Sequence, residues 1–372
     1  MKIGVAAAIL PPDAGGLGET VWAKHRWLAS RGISSRILTY SARAPRRPGD
    51  DAYFAPEITR YDPVERVGGT KLEKIRDVLA MKRLLREALA DRDVIEVQGW
   101  TLWNTALVLF PGPLRRKPWI MVYRGTDGWD YAPRPLLDLK QRMNARAVTL
   151  ANSAGLADHL RAKGIRIDGH IWSEVDDTLF RPPEEKPEPG LVVTVKGLYP
   201  IGDPGTMLRA LGILSRKGIA FRHLYVGGGP LIDEMKALCV ELGIAGRVEF
   251  LGVVPHSSLP VILGRAALKV LPSRIESCPH VLGEAMMMAR AVVATATSGA
   301  AELVRDGETG LLARVGDPED LASKIARVLE DPDGARRMGE RARAWALEHL
   351  AMDVVFGKYL EWYRKVLAAK RP

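Results

Sequence analysis

The chain has little cysteine and no long apolar segment, and each scarcity excludes a class of protein. Its two cysteines, Cys239 and Cys278, cannot build a disulfide framework, and with only seven histidines the sequence contains no cluster with the spacing of zinc ligands. This usage fits a reducing compartment, so we expect a cytoplasmic protein. The longest near-continuous apolar run, residues 3–10, is far shorter than the roughly 20 residues that span a bilayer, and we expect no transmembrane helix.

Positive charge is in excess. The sequence has 54 Lys and Arg against 44 Asp and Glu, which gives a net charge of +10. Such a charge favours an acidic partner: a nucleic acid, an anionic membrane surface or a phosphorylated small molecule. A nucleic acid is not expected, because the chain has no recognisable nucleic-acid-binding module and its aromatic residues, 6% of the total, do not interleave with basic ones.

Short β-branched runs alternate with amphipathic segments along the whole chain, which is typical of βαβ units in parallel sheets. At 372 residues the chain is more than twice a typical domain of about 150 residues, so two domains are expected. Residues 180–190 carry four prolines and no apolar periodicity, which indicates a linker. We therefore predict an α/β fold of two doubly wound, Rossmann-like domains, over residues 1–178 and 191–350, joined by a linker at 179–190 and followed by a helical segment at 351–372.

The predicted elements follow this division. Strands are expected at 3–8, 94–97, 120–123 and 148–151, and then at 191–195, 223–226, 248–251, 268–271 and 292–295. Helices are expected at 19–30, 72–90 and 154–163, and then at 206–215, 231–242, 279–289, 318–330 and 335–349. Two open parallel sheets place a ligand cleft between the carboxyl ends of their strands.

A glycine-rich loop at residues 11–18 follows the first predicted strand. Gly15 and Gly16 allow close approach of the backbone, and the helix that begins at this loop favours an anion such as phosphate. Val21 stands where G-x-G-x-x-G has its third glycine, so a nicotinamide enzyme is disfavoured. A glycine-rich turn without a ligand is the alternative.

The most informative segment is 271–289, in which two carboxylates bracket the start of a predicted helix. Glu276 lies in the loop after a strand, Pro279 suits the first turn of a helix, and Glu284 lies on that helix. Amides near the helix start can hold a phosphate while the carboxylates accept hydrogen bonds from sugar hydroxyls. A solvated helix face would give the same spacing.

Here the sequence resembles a known family. Glu276 and Glu284 match the E-x7-E motif of the retaining glycosyltransferases of family 4, whose GT-B architecture has two Rossmann-like domains that face an interdomain cleft. Further ordered matches span nearly the whole chain and lie at Gly15 and Gly16 and at residues 171–182, 226–230, 247–252, 271–273 and 291–312.

The resemblance implies a role for each matched residue. Glu276 is the catalytic-site carboxylate that contacts the transferred sugar, and Glu284 contacts the ribose of the nucleotide. The donor-binding residues lie at the glycine-rich loop and at the start of the helix, namely Gly15, Gly16, Ser277, Cys278, Pro279, His280 and Val281, and backbone amides in these two segments hold the diphosphate. No metal or other cofactor is needed, because basic groups and helix N-termini neutralise the leaving diphosphate. The C-terminal helix crosses back to the first domain.

The sequence also departs from the family pattern. The family places an arginine and, five residues on, a lysine at the start of the second domain, where this chain has Gly197 and Gly202. Lys196 and Arg274 are candidates to supply the missing charge to the diphosphate. Each charge-assisted phosphate contact contributes roughly 1.5–3 kcal/mol, so this departure bears on donor affinity.

Two further features concern the acceptor. Arg124 and Asp127 leave the carboxyl end of a strand and are candidate acceptor-side residues, with a surface salt bridge as the alternative. The helix at 71–92 is basic, and its Leu79 is expected to face the sheet. We interpret it as an ordinary domain helix. The alternative is that its basic face, with the Arg115, Arg116 and Lys117 cluster, contacts an anionic membrane that carries a lipid-linked acceptor.

The sequence and its resemblance thus predict a cytoplasmic enzyme that moves a sugar from a nucleotide diphosphate donor to a hydroxyl of a glycan or lipid-linked glycan with retention. Contact with the inner face of the membrane is left open. A catalytically silent or unusual-donor GT-B protein that binds sugar nucleotides or glycans is the alternative, motivated by Gly197 and Gly202.

Overall fold

The computed structural model describes residues 1–7, 10–11, 16–40, 50–61, 71–99, 114, 117–125 and 147–369. The chain divides into two compact units. The first comprises Met1–Trp172 together with Val355–Pro372, and the second comprises Ser173–Val354. The sequence instead predicts that the first domain ends at residue 178 and the second at residue 350, with a separate linker at 179–190, which here belongs to the second unit.

The first unit is built on a parallel sheet. Within the described residues its strands are β1 (Lys2–Ala7), β2 (Ser34–Tyr40), β3 (Ile58–Tyr61), β4 (Val94–Gln98), β5 (Trp119–Tyr123), β6 (Ala147–Ala151) and β7 (Gly169–His170). They lie in the order β3-β2-β1-β4-β5-β6-β7, and each pairing is parallel. The central strands β4 and β5 are buried along their whole length, which is why they consist mainly of apolar residues.

Helices cover this sheet. The described ones are α1 (Gly16–Ala29), α2 (Lys71–Leu89), α3 (Ala154–Ala162) and, from Val355 onward, the C-terminal helix α11 (Met352–Ala368). Leu85 and Leu89 of α2 enter the core of the unit. Leu79 does not, because its side chain is 48% exposed, and the expectation that it faces the sheet is wrong.

The second unit repeats the plan. Its described strands are β8 (Leu191–Val195), β9 (Arg222–Val226), β10 (Val248–Gly252), β11 (Leu268–Leu271), β12 (Ala291–Thr295) and β13 (Leu311–Ala313), in the order β10-β9-β8-β11-β12-β13 with parallel pairings. Its helices are α4 (Pro204–Arg216), α5 (Ile232–Glu241), α6 (Leu259–Arg265), α7 (His280–Met287), α8 (Ser298–Leu303), α9 (Pro318–Glu330) and α10 (Pro332–Leu350).

The predicted α/β fold of two Rossmann-like parallel-sheet domains is therefore confirmed. Among the described helices, none combines the length and the apolar character that crossing a membrane requires.

Candidate functional site

Two loops meet at the carboxyl edge of the second sheet. One follows β8 over residues 196–203 and contains a short 3-10 turn at Pro200–Gly202. The other follows β11, the neighbouring strand, over residues 272–279 and leads into α7. The amide of Arg274 donates a 2.9 Å hydrogen bond to the carbonyl of Ile201 and so joins the loops. This edge of a parallel sheet is where open α/β folds bind their ligands.

An ion pair links the two loops. The Lys196 ammonium donates a hydrogen bond to Oε1 of Glu276. The side chains are 24% and 12% exposed, so the pair is partly shielded while solvent still reaches it. The geometry brings together two residues that the sequence singles out for the same donor site.

A second ion pair lies beside the first. Nε of Arg274 lies 3.1 Å from Oδ2 of Asp203, and the guanidinium side chain is 57% exposed. Asp203 has the left-handed conformation, with φ 46°, and its carboxylate caps α4 by accepting a hydrogen bond from the amide of Thr206. Arg274 is thereby held at this edge of the sheet with its charge open to solvent.

The structure explains the two glycines that replace the family's arginine and lysine. A Cβ atom at Gly197 would lie 2.9 Å from the Tyr199 ring, and one at Gly202 would lie 2.7 Å from the carbonyl oxygen of Gly197. The Lys196 side chain lies against Gly202, since its Cγ would be 3.0 Å from that added Cβ. Lys196 and Tyr199 therefore occupy the space that larger side chains at 197 and 202 would need.

Glu284 lies one helical turn inside α7, which begins at His280 after Pro279 in the N-cap position. Its carboxylate is nearly buried, at 5% exposure, and Oε1 lies 2.7 Å from Nε2 of His256. Oε2 is also buried and has no hydrogen-bond partner within the described residues. A buried carboxylate oxygen without a donor is costly, so Oε2 has unused capacity to accept a hydrogen bond.

The loop that carries Glu276 is held in place by hydrogen bonds and by the burial of two of its side chains. The amide of Gly299, at the start of α8, donates a 3.1 Å hydrogen bond to the carbonyl of Glu276. Ser277 and Cys278 are buried, and the Cys278 thiol accepts a 3.2 Å hydrogen bond from the amide of Ser173. These two side chains are thus packed, while His280 and Val281 at the start of α7 are partly exposed.

A fully buried lysine lies on the strand that leads into this loop. Lys269 on β11 is 0% exposed, and its ammonium donates a 2.9 Å hydrogen bond to the carbonyl of Val270. Burial lowers the pKa of Lys269 to about 7, against the opposing influence of Glu284 and Glu276 and with a further lowering by the Lys196 charge. The site therefore contains a basic group that changes its charge near neutral pH.

In the first unit, Arg124 belongs to a buried polar network. Its Nε donates a 2.7 Å hydrogen bond to Gln98, and a terminal nitrogen lies 3.2 Å from the Tyr359 hydroxyl on α11. Gly16 is exposed at the start of α1. Gly15 and Asp127 lie outside the described residues, as do Arg115 and Arg116.

Sequence reasoning missed three residues of the second-unit site: His256, Asp203 and Lys269. Each carries a weak signal, since His256 follows a strand, Asp203 precedes a proline that begins a helix, and Lys269 is a lone charge inside an apolar strand. Across the described ranges, no group of three or more His, Cys, Asp or Glu side chains is placed to hold a metal ion.

Comparisons with known proteins agree with this architecture. Residues 175–345 match the family model "Glycosyl transferases group 1", and residues 15–170 match the "Glycosyl transferase 4-like domain". The solved structure of HepE from Anabaena in complex with UDP-glucose superposes with a TM-score of 0.78 at 19% identity, over 98% of this chain and 100% of that one.

Two curated relatives illustrate the range of similarity. A D-inositol 3-phosphate glycosyltransferase of Nocardioides is 26% identical over 96% of this chain and 87% of its own length. A GDP-mannose-dependent alpha-(1-6)-phosphatidylinositol monomannoside mannosyltransferase of Mycolicibacterium smegmatis is 31% identical over 43% of this chain and 44% of its own. The chain spans about two fifths of the length of the first curated relatives that it matches. The two family models together span most of the sequence, so the chain carries a glycosyl transferase 4-like domain at residues 15–170 followed by a glycosyl transferases group 1 domain at residues 175–345.

Proposed function

We propose that this protein transfers a sugar from a nucleotide diphosphate donor to a hydroxyl of a glycan or lipid-linked glycan, with retention of anomeric configuration. The observation that carries the proposal is the pair of carboxylates at α7. Glu276 is paired with a solvent-accessible lysine, and Glu284 offers a buried oxygen that has no donor within the described residues. Carboxylates of this kind suit the hydroxyls of a sugar and of a ribose.

The donor diphosphate is assigned to the cations that adjoin these carboxylates. Lys196 and Arg274 lie on the two joined loops, and the N-terminus of α7 adds the positive end of its helix dipole. Together they supply the charge that Gly197 and Gly202 do not. We propose that these groups neutralise the leaving diphosphate without a metal ion.

The proposed chemistry is the one that the resemblance to retaining glycosyltransferases implies. The bond between the anomeric carbon and the diphosphate oxygen breaks towards an oxocarbenium-like state. The acceptor hydroxyl oxygen bonds to the same face of the anomeric carbon, and the departing phosphate oxygen takes the hydroxyl proton. Retention results because bond breaking and bond making share one face. Glu276 contacts the sugar during this step, and Lys196 is released from it to the diphosphate.

The surface of the first unit supports the proposal of a lipid-linked acceptor. Arg76, Leu79, Arg83 and Arg86 are exposed on α2, and this arrangement of one leucine among arginines suits an anionic lipid surface. The mannosyltransferase relative is named for a phosphatidylinositol monomannoside. We include contact with the inner face of a membrane in the proposal. Arg124 is a candidate for the acceptor only if its buried network rearranges.

One observation favours a second candidate, a protein that binds sugar nucleotides without turning them over. In the structure Lys196 engages Glu276, the carboxylate assigned to the sugar, and the family's arginine and lysine are replaced by glycine. Release of nucleoside diphosphate separates the two candidates.

The experiment is a thermal-shift screen of nucleotide sugars, followed by turnover assays with each donor that stabilises the protein. Release of nucleoside diphosphate in the presence of an acceptor, with an NMR spectrum of the product that shows the donor's anomeric configuration, supports retaining transfer. Stabilisation without release supports the binding protein, and inversion contradicts the mechanism.

A further inference from the structure

The two oxygens of Glu284 have different surroundings. Oε1 lies 2.7 Å from Nε2 of His256, in a 3-10 turn at His256–Ser258 that follows β10. A carboxylate can only accept, so Nε2 carries the proton and donates it. Oε2 is buried and, across the described ranges, accepts no hydrogen bond.

The imidazole is itself held in place. The Phe180 ring, which is buried, packs against the His256 ring with a centroid separation of 5.4 Å. Because one oxygen of Glu284 is tied to a supported donor, the carboxylate cannot turn Oε2 towards another protein group without breaking that bond. The arrangement keeps Oε2 available as an acceptor.

We propose that His256 is a positioning residue for the nucleotide: it fixes Glu284 so that Oε2 accepts a hydrogen bond from a hydroxyl of the donor's ribose. The inference rests on the proposed function, since it takes a nucleotide as the ligand. It assigns a role to a residue that is 28 positions from Glu284 in sequence and that belongs to a different loop.

The role predicts a specific pattern of variants. H256L removes the donor and keeps an apolar side chain against Phe180, whereas H256Q retains an amide N–H that can reach Glu284. H349Q is the matched control, because His349 lies in the same unit, bonds the carbonyl of Trp345 and stacks on its ring. Thermal unfolding establishes that each variant is folded.

The probes are UDP, GDP and ADP and their 2′,3′-dideoxy forms, with dissociation constants measured by calorimetry. For a nucleotide that the wild type binds, we expect H256L to raise the dissociation constant of the ribose form about tenfold, the typical loss for one hydrogen bond to a charged group. The dissociation constant of the dideoxy form is expected to stay unchanged. H256Q is expected to restore most of the difference, and H349Q to bind like the wild type.

The outcomes are distinct. Equal weakening of the ribose and dideoxy forms, or no weakening of either, overturns the positioning role while leaving the proposed function intact. A wild-type protein that binds none of the three nucleotides overturns the proposed function itself. Should H256L fail to fold, H256N takes its place, because its shorter amide stays polar and does not reach Glu284.

Discussion

Lys196 and Glu276, 80 positions apart in the chain, form an ion pair across the two loops at the carboxyl edge of the second sheet. The pair joins the group assigned to the diphosphate to the group assigned to the sugar. In the proposed function, a bound diphosphate gives Lys196 a second anionic partner and frees Glu276 for sugar hydroxyls. In the absence of a donor, the ion pair thus keeps both side chains at this edge of the sheet.

Lys196→Met tests the diphosphate assignment. Loss of one charge-assisted contact of about 1.5–3 kcal/mol raises the Kd for a nucleoside diphosphate roughly ten- to hundredfold. Glu276 is also left without its partner and repels the phosphate. Calorimetry measures the change, and Lys217→Met, at an exposed lysine of the same unit, is the control. An unchanged Kd would mean that the diphosphate binds elsewhere.

Glu276→Gln tests the catalytic assignment. The substitution keeps the size of the side chain but removes the charge that stabilises the developing oxocarbenium-like state, so turnover falls on the order of a hundredfold. The rate of nucleoside diphosphate release is measured beside the melting temperature, which we expect to stay near that of the wild type. Glu241→Gln, at an exposed helical position, serves for comparison. Wild-type turnover in Glu276→Gln contradicts the assignment.

Gly299→Ala tests whether turnover depends on the position of the loop that carries Glu276. A Cβ atom at 299 would lie 2.1 Å from the carbonyl oxygen of Ser277, so the loop must move. Misplacement of about 1 Å costs roughly a hundredfold in turnover. Gly246→Ala is the matched control, because a Cβ there meets no atom within 4 Å. Equal activity of the two variants in the donor assay would show that the loop position is not critical.

Lys269 predicts how stability depends on pH. Its folded-state pKa of about 7 lies below the ordinary 10.5, so the unfolded chain binds more protons between these values and stability rises with pH across this window. The slope from this group reaches about 1.4 kcal/mol per pH unit. In Lys269→Met this contribution is absent, so the stability advantage of the variant over the wild type shrinks from pH 7 to pH 9.

Urea unfolding of Lys269→Met and the wild type at pH 7, 8 and 9 measures this convergence, with Lys217→Met as the exposed control. His223, whose pKa burial lowers to about 3, stays neutral throughout this window. A stability difference between Lys269→Met and the wild type that does not change with pH would contradict a titrating Lys269.

Glu96 anchors the C-terminal helix in the first unit. It is fully buried, pairs with Lys24 on α1 and accepts a 2.5 Å hydrogen bond from the Tyr363 hydroxyl on α11. Burial alone would raise the pKa of Glu96, but the Lys24 charge and the hydrogen bonds hold it below its ordinary value of 4.5. The stability that this carboxylate contributes is therefore present above pH 4.5 and is lost as the pH falls through the lowered pKa.

Glu96→Gln leaves Lys24 buried without its counter-charge and destabilises the protein by about 3–5 kcal/mol, whereas Tyr363→Phe removes one hydrogen bond and costs about 1–3 kcal/mol. Chemical denaturation at pH 7 measures both variants. If both variants lost the same small amount of unfolding free energy, the hydrogen-bond and ion-pair network around Glu96 would contribute little to stability.

The sequence predicted the strands that consist mainly of apolar residues, such as β5, β8 and β12. It missed β2, which opens with Ser34, Ser35 and Arg36 and has a short apolar run that becomes a strand through its pairing with β1. It also missed β13, which has only three residues and pairs with β12. Local pattern does not encode these non-local pairings.

The candidate site shows the same limit. Glu276 and Glu284 lie in one contiguous segment, so the sequence alone shows their spacing. Lys196 became a candidate because it adjoins Gly197, where the sequence departs from the family pattern. The partners of these residues come from distant loops: His256 reaches Glu284 only because β10 ends near α7 in the folded unit, and Asp203 reaches Arg274 through a left-handed turn. Burial of Lys269 likewise depends on the packing around β11.

The most direct measurement is a crystal structure of the protein with a bound nucleoside diphosphate. We predict that the diphosphate lies at the N-terminus of α7 within reach of Lys196 and Arg274, with a ribose hydroxyl at hydrogen-bond distance from Oε2 of Glu284. A nucleotide bound away from these residues, or a site closed by side chains of the protein, would contradict the assignment of this edge of the second sheet to a sugar nucleotide.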